Sequence, residues 1–91
     1  MVMESQVPVV LDCYADWCKP CKTLTPLLES KVRGAKDWKL VKMDIDKHPE
    51  LAQMLKIKAV PTVYLIANGR PIDGFSGMPD EKVLNTFFGS L

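Results

Sequence analysis

The feature that most constrains the fold of this 91-residue chain is an almost continuous apolar run over residues 8–15. β-branched and aromatic side chains in the run favour a strand. Because the run does not alternate with polar residues, we expect this strand to be covered on both faces, as in a sheet with parallel pairing. The chain is too short for two cores, so it predicts one α/β domain over residues 1–91, with a core at about 7–90.

A helix is predicted directly after this strand, from residue 20 to about residue 32. Pro20 suits the first turn, where its missing N–H is not needed. Pro26 falls inside the pattern and is expected to kink the helix, and Gly34 is a plausible end. The apolar residues at helical spacing are Leu24, Leu27, Leu28 and Val32.

Five further elements and a turn complete the predicted order β-α-β-α-β-β-α. They are a strand over residues 38–45, a short helix entered at Pro49, strands over 62–66 and 72–75, and a helix starting near Asp80. Asn68-Gly69 between the last two strands is a strong hairpin signal. The two helices are expected to bury, respectively, Leu51, Ala52, Met54 and Leu55, and Val83, Leu84, Phe87 and Phe88.

Charge and composition exclude several classes of protein. Twelve basic and eleven acidic side chains leave a net charge of +1, so nothing favours binding to nucleic acid or to an anionic membrane. No apolar run approaches the roughly 18 residues of a membrane span. Three cysteines are a poor disulfide framework for a secreted domain, and the first six residues lack a signal-peptide pattern. We therefore expect a reducing intracellular compartment, the cytoplasm.

Two of the three cysteines are the candidate reactive residues of this chain. Cys18 and Cys21 lie where the first strand passes into the first helix, and two intervening residues allow them to close a small disulfide ring. The Cys18 sulfur would face unpaired backbone N–H groups and the positive end of the helix dipole. Both favour the thiolate, which is the nucleophilic form of cysteine. A Cys-x-x-Cys pair near a βαβ pattern is typical of a thioredoxin-like redox site.

The segment Trp17-Cys18-Lys19-Pro20-Cys21-Lys22 resembles the active site of the thioredoxin family, which usually has glycine in place of Lys19. The resemblance covers about residues 7–90, in order and spacing. Further matches to family positions are Asp12, a buried acid; Pro26, a helix-kinking proline; Lys42, a lysine near that acid; Val60-Pro61-Thr62, a cis-proline loop; Asn68-Gly69, the hairpin turn; and Gly77, a glycine on the docking surface.

This resemblance implies a thioredoxin fold, a central four-stranded mixed sheet in the order 2-1-3-4 flanked by helices. Family members usually carry one more strand and helix before the strand that leads into the active site. Only about six residues precede that strand here. The sequence is therefore interpreted either as a pared-down family member or as a chain cut at its start, with one sheet edge uncovered.

The resemblance also implies dithiol–disulfide exchange. Cys18 would attack a substrate disulfide, and Cys21 would then attack Cys18 and release the reduced substrate. Asp12 is the candidate base for Cys21, because a carboxylate in an apolar strand has a raised pKa. Lys42 would limit that rise by favouring the charged carboxylate.

Six residues are candidates for substrate binding or for shaping the site. Trp17 and Pro61 would form a shelf around the sulfurs, and the Val60 backbone could pair with an extended substrate segment. Pro20 would stiffen the ring, and Gly77 would flatten the docking surface. Lys19 would favour the Cys18 thiolate by about 0.3–1 kcal/mol, which makes the couple more oxidising by about 10–20 mV.

The function predicted on these grounds is reduction of protein disulfides without a bound cofactor. A monomer would act on protein disulfide substrates and receive electrons from a reductase, an NADPH-dependent flavoprotein. Two alternatives stay open at this point. A zinc site would need four ligands, and beside Cys18 and Cys21 the remaining candidates are only Cys13 and His48, with no second cysteine pair present. A docking or co-chaperone module with minor redox turnover would use the same fold, since residues 69–75 are somewhat similar to such a domain.

Overall fold

A computed structural model describes residues 7–35 and 37–89 of the chain. The outermost positions of the predicted domain, residues 1–6 and 90–91, lie outside this range. The elements follow the predicted order and are β1 (Val9–Tyr14), α1 (Lys19–Gly34), β2 (Lys39–Asp44), α2 (Pro49–Met54), β3 (Thr62–Ala67), β4 (Arg70–Ser76) and α3 (Glu81–Phe88). The predicted boundaries differ from these by no more than two residues.

The four strands form one mixed sheet in the order β2-β1-β3-β4, which confirms the predicted topology. β1 pairs in parallel with β2, and the crossover between them contains α1. β1 also pairs antiparallel with β3, and β3 pairs antiparallel with β4. The strand that precedes the cysteines is therefore central, with hydrogen-bonded neighbours on both sides.

The strand β1 is buried on both faces, as its unbroken apolar run predicts. One face packs against α1 and α3 in a cluster that includes Val10, Leu24 and Phe87. The other face holds Leu11 and Cys13 in a second cluster, against which residues of α2 and the segment after it pack. Since side chains alternate along a strand, Asp12 lies on the α1 face and Cys13 on the opposite face.

Local sequence accounts for both ends of α1. Cys18 is the N-cap, with an extended backbone, and Pro20 lies in the first turn. The helix ends at Gly34, where the Ala35 N–H donates to the Val32 carbonyl. Pro26 lies inside the helix, at the predicted position.

The predicted apolar faces of the helices are partly wrong. Leu51 and Met54 of α2 are 46% and 76% exposed, and only Ala52 and Leu55 pack, half-buried, against the sheet. A six-residue helix has room for one contact face, and positions 51 and 54 lie on the other side. In the same way, Val83 of α3 is 41% exposed, although Leu84 and Phe87 are buried as predicted. Leu27 of α1 is also exposed.

The hairpin between β3 and β4 has the predicted turn. Asn68 and Gly69 both adopt positive φ, at 53° and 78°. Two successive left-handed residues are the requirement of a type I′ turn, which explains the Asn-Gly sequence.

Within the part of the chain that the structure describes, no helix has the length and apolar character needed to traverse a bilayer.

Candidate active site

Cys18 and Cys21 form a disulfide at the start of α1. The Cys21 backbone N–H donates to the Cys18 Sγ over 3.2 Å, so the sulfur of the N-cap residue occupies the place of a capping oxygen. The Cys18 N–H donates in turn to the Ala15 carbonyl. This geometry confirms the expected position of Cys18, in which a helix N-terminus faces its sulfur and stabilises negative charge there.

Both cysteines are shielded from solvent, at 4% exposure for Cys18 and 2% for Cys21. They pack with Ala15 in a small apolar cluster, and Val60 lies against it. Lys19 and Pro20, between the cysteines in sequence, are exposed. The ring therefore presents its two intervening residues to solvent and its sulfurs to the protein and to the Val60 loop.

The loop before β3 lies beside the disulfide, as the resemblance implies. The Val60–Pro61 peptide bond is cis, and Pro61 is buried. The Gly77 N–H donates to the Pro61 carbonyl over 2.8 Å. Gly77 has φ +80°, a conformation that side chains disfavour, and a Cβ there would meet open space. The need for glycine at this position is therefore conformational rather than steric.

Trp17 is 68% exposed beside the cysteines. Its indole N–H donates to Asp46 Oδ2 over 2.9 Å. The Asp46 backbone N–H donates to the buried Asp44 Oδ1, so the turn after β2 holds the acceptor in place. The flat aromatic surface next to Cys18 is thereby tied to the end of a neighbouring strand.

Asp12 is completely buried under α1. Its Oδ2 accepts a hydrogen bond of 2.6 Å from the Thr25 hydroxyl, and its Oδ1 has no hydrogen-bond partner among the described residues. Burial raises the pKa of Asp12 above its ordinary value, which confirms the predicted direction. The Thr25 hydrogen bond and the charge of Lys42 oppose this rise, and Glu29 adds to it.

Lys42 is the residue of β2 directly opposite Asp12. Its side chain is half exposed, and its Nζ lies 3.9 Å from Glu29 Oε2. As expected, the positive charge of Lys42 lowers the pKa of Asp12, its neighbour on the adjacent strand. A surface pair of this kind contributes little to stability, so its effect on the buried carboxylate is its main consequence.

Cys13, the third cysteine, is free and completely buried. Burial, with a smaller contribution from the charge of Asp12, raises the pKa of its thiol to about 12. Cys13 is therefore a small core residue. Among residues 7–35 and 37–89, no group of three or more His, Cys, Asp or Glu side chains is placed to hold a metal ion.

Three residues near the site were not predicted from the sequence: Thr25, Glu29 and Asp46. For Thr25 a signal exists, because it follows Cys21 by four positions and so lies on the same side of α1. The contacts of Glu29 and Asp46 depend on how α1 and the turn after β2 lie against other elements. A single sequence carries no signal for such contacts.

Comparison with known proteins agrees with this geometry. The family model described as "Thioredoxin" matches residues 1–89. The chain is 46% identical to the probable thioredoxin-2 of Caenorhabditis elegans, over 94% of this chain and 60% of that protein. It is also 46% identical to the mitochondrial thioredoxin of Bos taurus, over 99% of this chain and 55% of that one. The chain thus spans little more than half the length of these curated relatives.

A solved structure gives the same result for the fold. The oxidised form of mitochondrial thioredoxin 3 from Saccharomyces cerevisiae superimposes with a TM-score of 0.88 at 30% sequence identity, over 98% of this chain and 83% of that one. The family match covers nearly the whole chain, and the cysteine pair, the cis-proline loop and the buried Asp12 stand at the positions that the resemblance assigns to them. On these grounds the chain belongs to the thioredoxin family.

Proposed function

We propose that this domain is a thiol–disulfide oxidoreductase that reduces protein disulfides through Cys18 and Cys21. The observation that carries the proposal is the Cys18–Cys21 disulfide at the N-terminus of α1, where the sulfur of Cys18 accepts a backbone hydrogen bond. A thiolate is stabilised in such a place.

The reaction proceeds in two exchanges. In the reduced protein, the Cys18 thiolate attacks one sulfur of a substrate disulfide, and the other substrate sulfur leaves as a thiolate. The S–H bond of Cys21 then breaks, its proton passes to Asp12, and the Cys21 sulfur attacks Cys18. The substrate leaves as a dithiol, and the protein keeps the two-electron oxidised disulfide that the structure contains.

Asp12 suits the role of base in this scheme. Burial raises its pKa, which brings the carboxylate closer to the range in which it can both accept and release a proton near neutrality. Lys42 and Thr25 hold the pKa of Asp12 below the value that burial alone would produce. Both influences therefore favour the charged carboxylate, which is the form that accepts a proton.

The substrate would approach as an extended segment beside the disulfide. Trp17 and the Val60–Pro61 segment would border the sulfurs, since Val60 packs against the cysteine cluster, and the backbone of Val60 would offer hydrogen bonds to a strand laid next to it. The flat Gly77 and the exposed Lys19 and Pro20 keep the approach open.

The proposed partners are protein disulfides and a reductase, an NADPH-dependent flavoprotein, with the domain acting as a monomer in electron transport. The proposed compartment is the cytoplasm, where a reducing pool keeps the buried Cys13 thiol intact. Gel filtration tests the monomer, reconstitution with NADPH and a flavoprotein reductase tests the electron source, and fractionation of the source cells tests the compartment.

Insulin reduction driven by dithiothreitol tests the activity itself. We expect the wild-type domain to precipitate the insulin B chain many times faster than Cys18→Ser, which lacks the nucleophile. Cys13→Ala is the matched control, because it removes a thiol from the core and leaves the disulfide; it should retain the wild-type rate. A wild-type rate no higher than that of Cys18→Ser would contradict the proposal and favour a docking or co-chaperone module.

A further inference from the structure

The contact between Thr25 and Asp12 lies outside the cysteine motif. It links the helix that carries the motif to the buried acid. The Thr25 hydroxyl has one proton, and it donates that proton to Asp12 Oδ2 over 2.6 Å. Asp12 is 0% exposed, and its Oδ1 has no partner among the residues that the structure describes. The two carboxylate oxygens of Asp12 therefore differ. Oδ2 accepts a hydrogen bond from the Thr25 hydroxyl, and Oδ1 remains able to accept a proton.

Thr25 also borders the space next to the second cysteine. A cleft of about 200 Å³ is lined by Cys21, Thr25 and Lys42, together with Tyr14, Ala15, Asp16 and Lys22. Thr25 follows Cys21 by one helical turn, so the two side chains lie on the same side of α1. The Thr25 side chain therefore contacts the buried carboxylate and, at the same time, borders the cleft that Cys21 lines.

We propose that Thr25 is a positioning residue for the second exchange: its hydroxyl orients the carboxylate of Asp12 so that Oδ1 accepts the proton of Cys21. The inference rests on the proposed function. In this step the S–H bond of Cys21 breaks, an O–H bond forms at Oδ1, and the electron pair stays on the sulfur that attacks Cys18. Solvent removes the proton from Asp12 afterwards.

Several charged or titratable groups face Asp12 from the elements around it. Lys42 of β2 favours the charged carboxylate, and Glu29 of α1 disfavours it. The thiols of Cys13 on β1 and, in the reduced protein, of Cys21 on α1 are the other titratable groups nearby. Among the influences that lower the pKa of Asp12, the Thr25 hydrogen bond is the largest. Loss of the hydroxyl therefore raises the pKa of Asp12 further.

The reaction of the reduced domain with 5,5′-dithiobis(2-nitrobenzoate) isolates this step. Attack by Cys18 releases the first thionitrobenzoate, and attack by Cys21 on the mixed disulfide releases the second. Stopped-flow absorbance at 412 nm measures both rates between pH 5.5 and 9. The variants are Thr25→Val, which keeps the volume and removes the hydroxyl; Thr25→Ser, which keeps the hydroxyl; and Thr23→Val, an exposed threonine of the same helix.

We expect Thr25→Val to move the pH midpoint of the second release upward by about one unit, which is a rate about tenfold lower on the acid side. The first release should stay within twofold of wild type. Thr25→Ser and Thr23→Val should follow the wild-type profile in both phases. In an Asp12→Asn background, Thr25→Val should shift nothing further, because the group that the hydroxyl orients is gone.

A Thr25→Val profile that coincides with wild type would overturn the inference. So would a Thr25→Ser profile as slow as that of Thr25→Val, because packing rather than the hydroxyl would then be responsible. If circular dichroism shows Thr25→Val unfolded, Thr25→Ala, which also lacks the hydroxyl, must show the same shift. Failure of the proposed function is separate: wild-type protein would then release no second thionitrobenzoate and reduce no insulin.

Discussion

Cys13 and Cys18 are both buried thiol positions, at 0% and 4% exposure, but their surroundings differ in kind. Cys13 lies in the middle of β1, among apolar side chains, where burial raises the pKa of its thiol to about 12. Cys18 lies five residues later, at the N-cap of α1, where a backbone N–H points at its sulfur. Exposure is nearly equal for the two sulfurs, so exposure does not decide their reactivity.

The difference between the two positions comes from the backbone. In the middle of a sheet each backbone N–H is used by a neighbouring strand, and none remains for a thiolate. The first turn of a helix has N–H groups without intrahelical partners, and the aligned peptide dipoles add positive potential there. The end of β1 therefore separates an inert cysteine from a reactive one within a few residues.

The largest effect expected from this contrast is on alkylation. With reduced native protein and iodoacetamide at pH 8, we expect Cys18 and Cys21 to be modified and Cys13 to react about a thousandfold more slowly than an ordinary thiol. The factor follows from a rise of the pKa of Cys13 from 9.0 to about 12, which lowers its thiolate fraction. Intact-mass spectra should show two adducts in native buffer and three in guanidinium chloride.

The matched variant for this experiment is Cys13→Ala, which should take two adducts under both conditions. A third adduct that appears on native wild-type protein as fast as the first two would contradict the contrast between the two positions.

An effect of intermediate size is expected on the stability of the folded domain, and its source is Asp12, the carboxylate next to Cys13. Asp12 has a folded-state pKa above 3.8, so the folded domain loses stability as the pH rises from that value through the raised pKa. Asp12→Asn does not ionise. At pH 8 we expect its free energy of unfolding to exceed that of the wild type by about 1–3 kcal/mol, because it buries no charge, and to match the wild type near pH 4.

Guanidinium chloride unfolding at several pH values, on the reduced proteins, measures this difference. The same variant should lower the pKa of Cys13 only modestly, because burial rather than Asp12 is the main cause of its rise. A stability difference that does not change between pH 4 and pH 8 would refute the raised pKa of Asp12.

The smallest effect concerns the cation inside the ring. Lys19 is exposed, and Lys19→Gln should make the Cys18–Cys21 couple less oxidising by about 10–20 mV. The shift should shrink in 1 M salt, which screens charges beyond about 3 Å. Equilibration with glutathione buffers, read by intact mass, measures it; Lys31→Gln, in the last turn of α1, is the control. A larger shift in the control would exclude a local effect of Lys19.

The sequence predicted the elements and their order because each carries a local signal. The unbroken apolar run of β1 indicates a central strand, Asn68-Gly69 permits two positive φ values, and Pro20 suits a helix start. Predictions of helix faces were weaker. Leu51 and Met54 were expected in the core but are exposed, since a short helix shows no periodicity long enough to define which side meets the sheet.

The residues of the candidate site likewise fall into two groups: those that a local sequence signal identifies and those that depend on packing. Cys18, Cys21 and Asp12 are recognisable in sequence, because a motif and a charged residue in an apolar strand stand out. The spacing from Cys21 places Thr25 on the same side of α1 but does not predict its contact with Asp12. That contact, the Glu29–Lys42 ion pair and the Trp17–Asp46 hydrogen bond join residues 13 to 29 positions apart, so no local pattern identifies them.

By itself, the amino-acid sequence determined the order of strands and helices in an α/β fold and the place of two cysteines at a helix start. Those properties depend on neighbours along the chain: apolar spacing, turn residues and a proline in the first turn. Only the tertiary structure decided which group contacts the buried acid and which loop lies against the sulfurs. Contacts of that kind follow from the packing of α1 and β3 on β1, which no local pattern encodes.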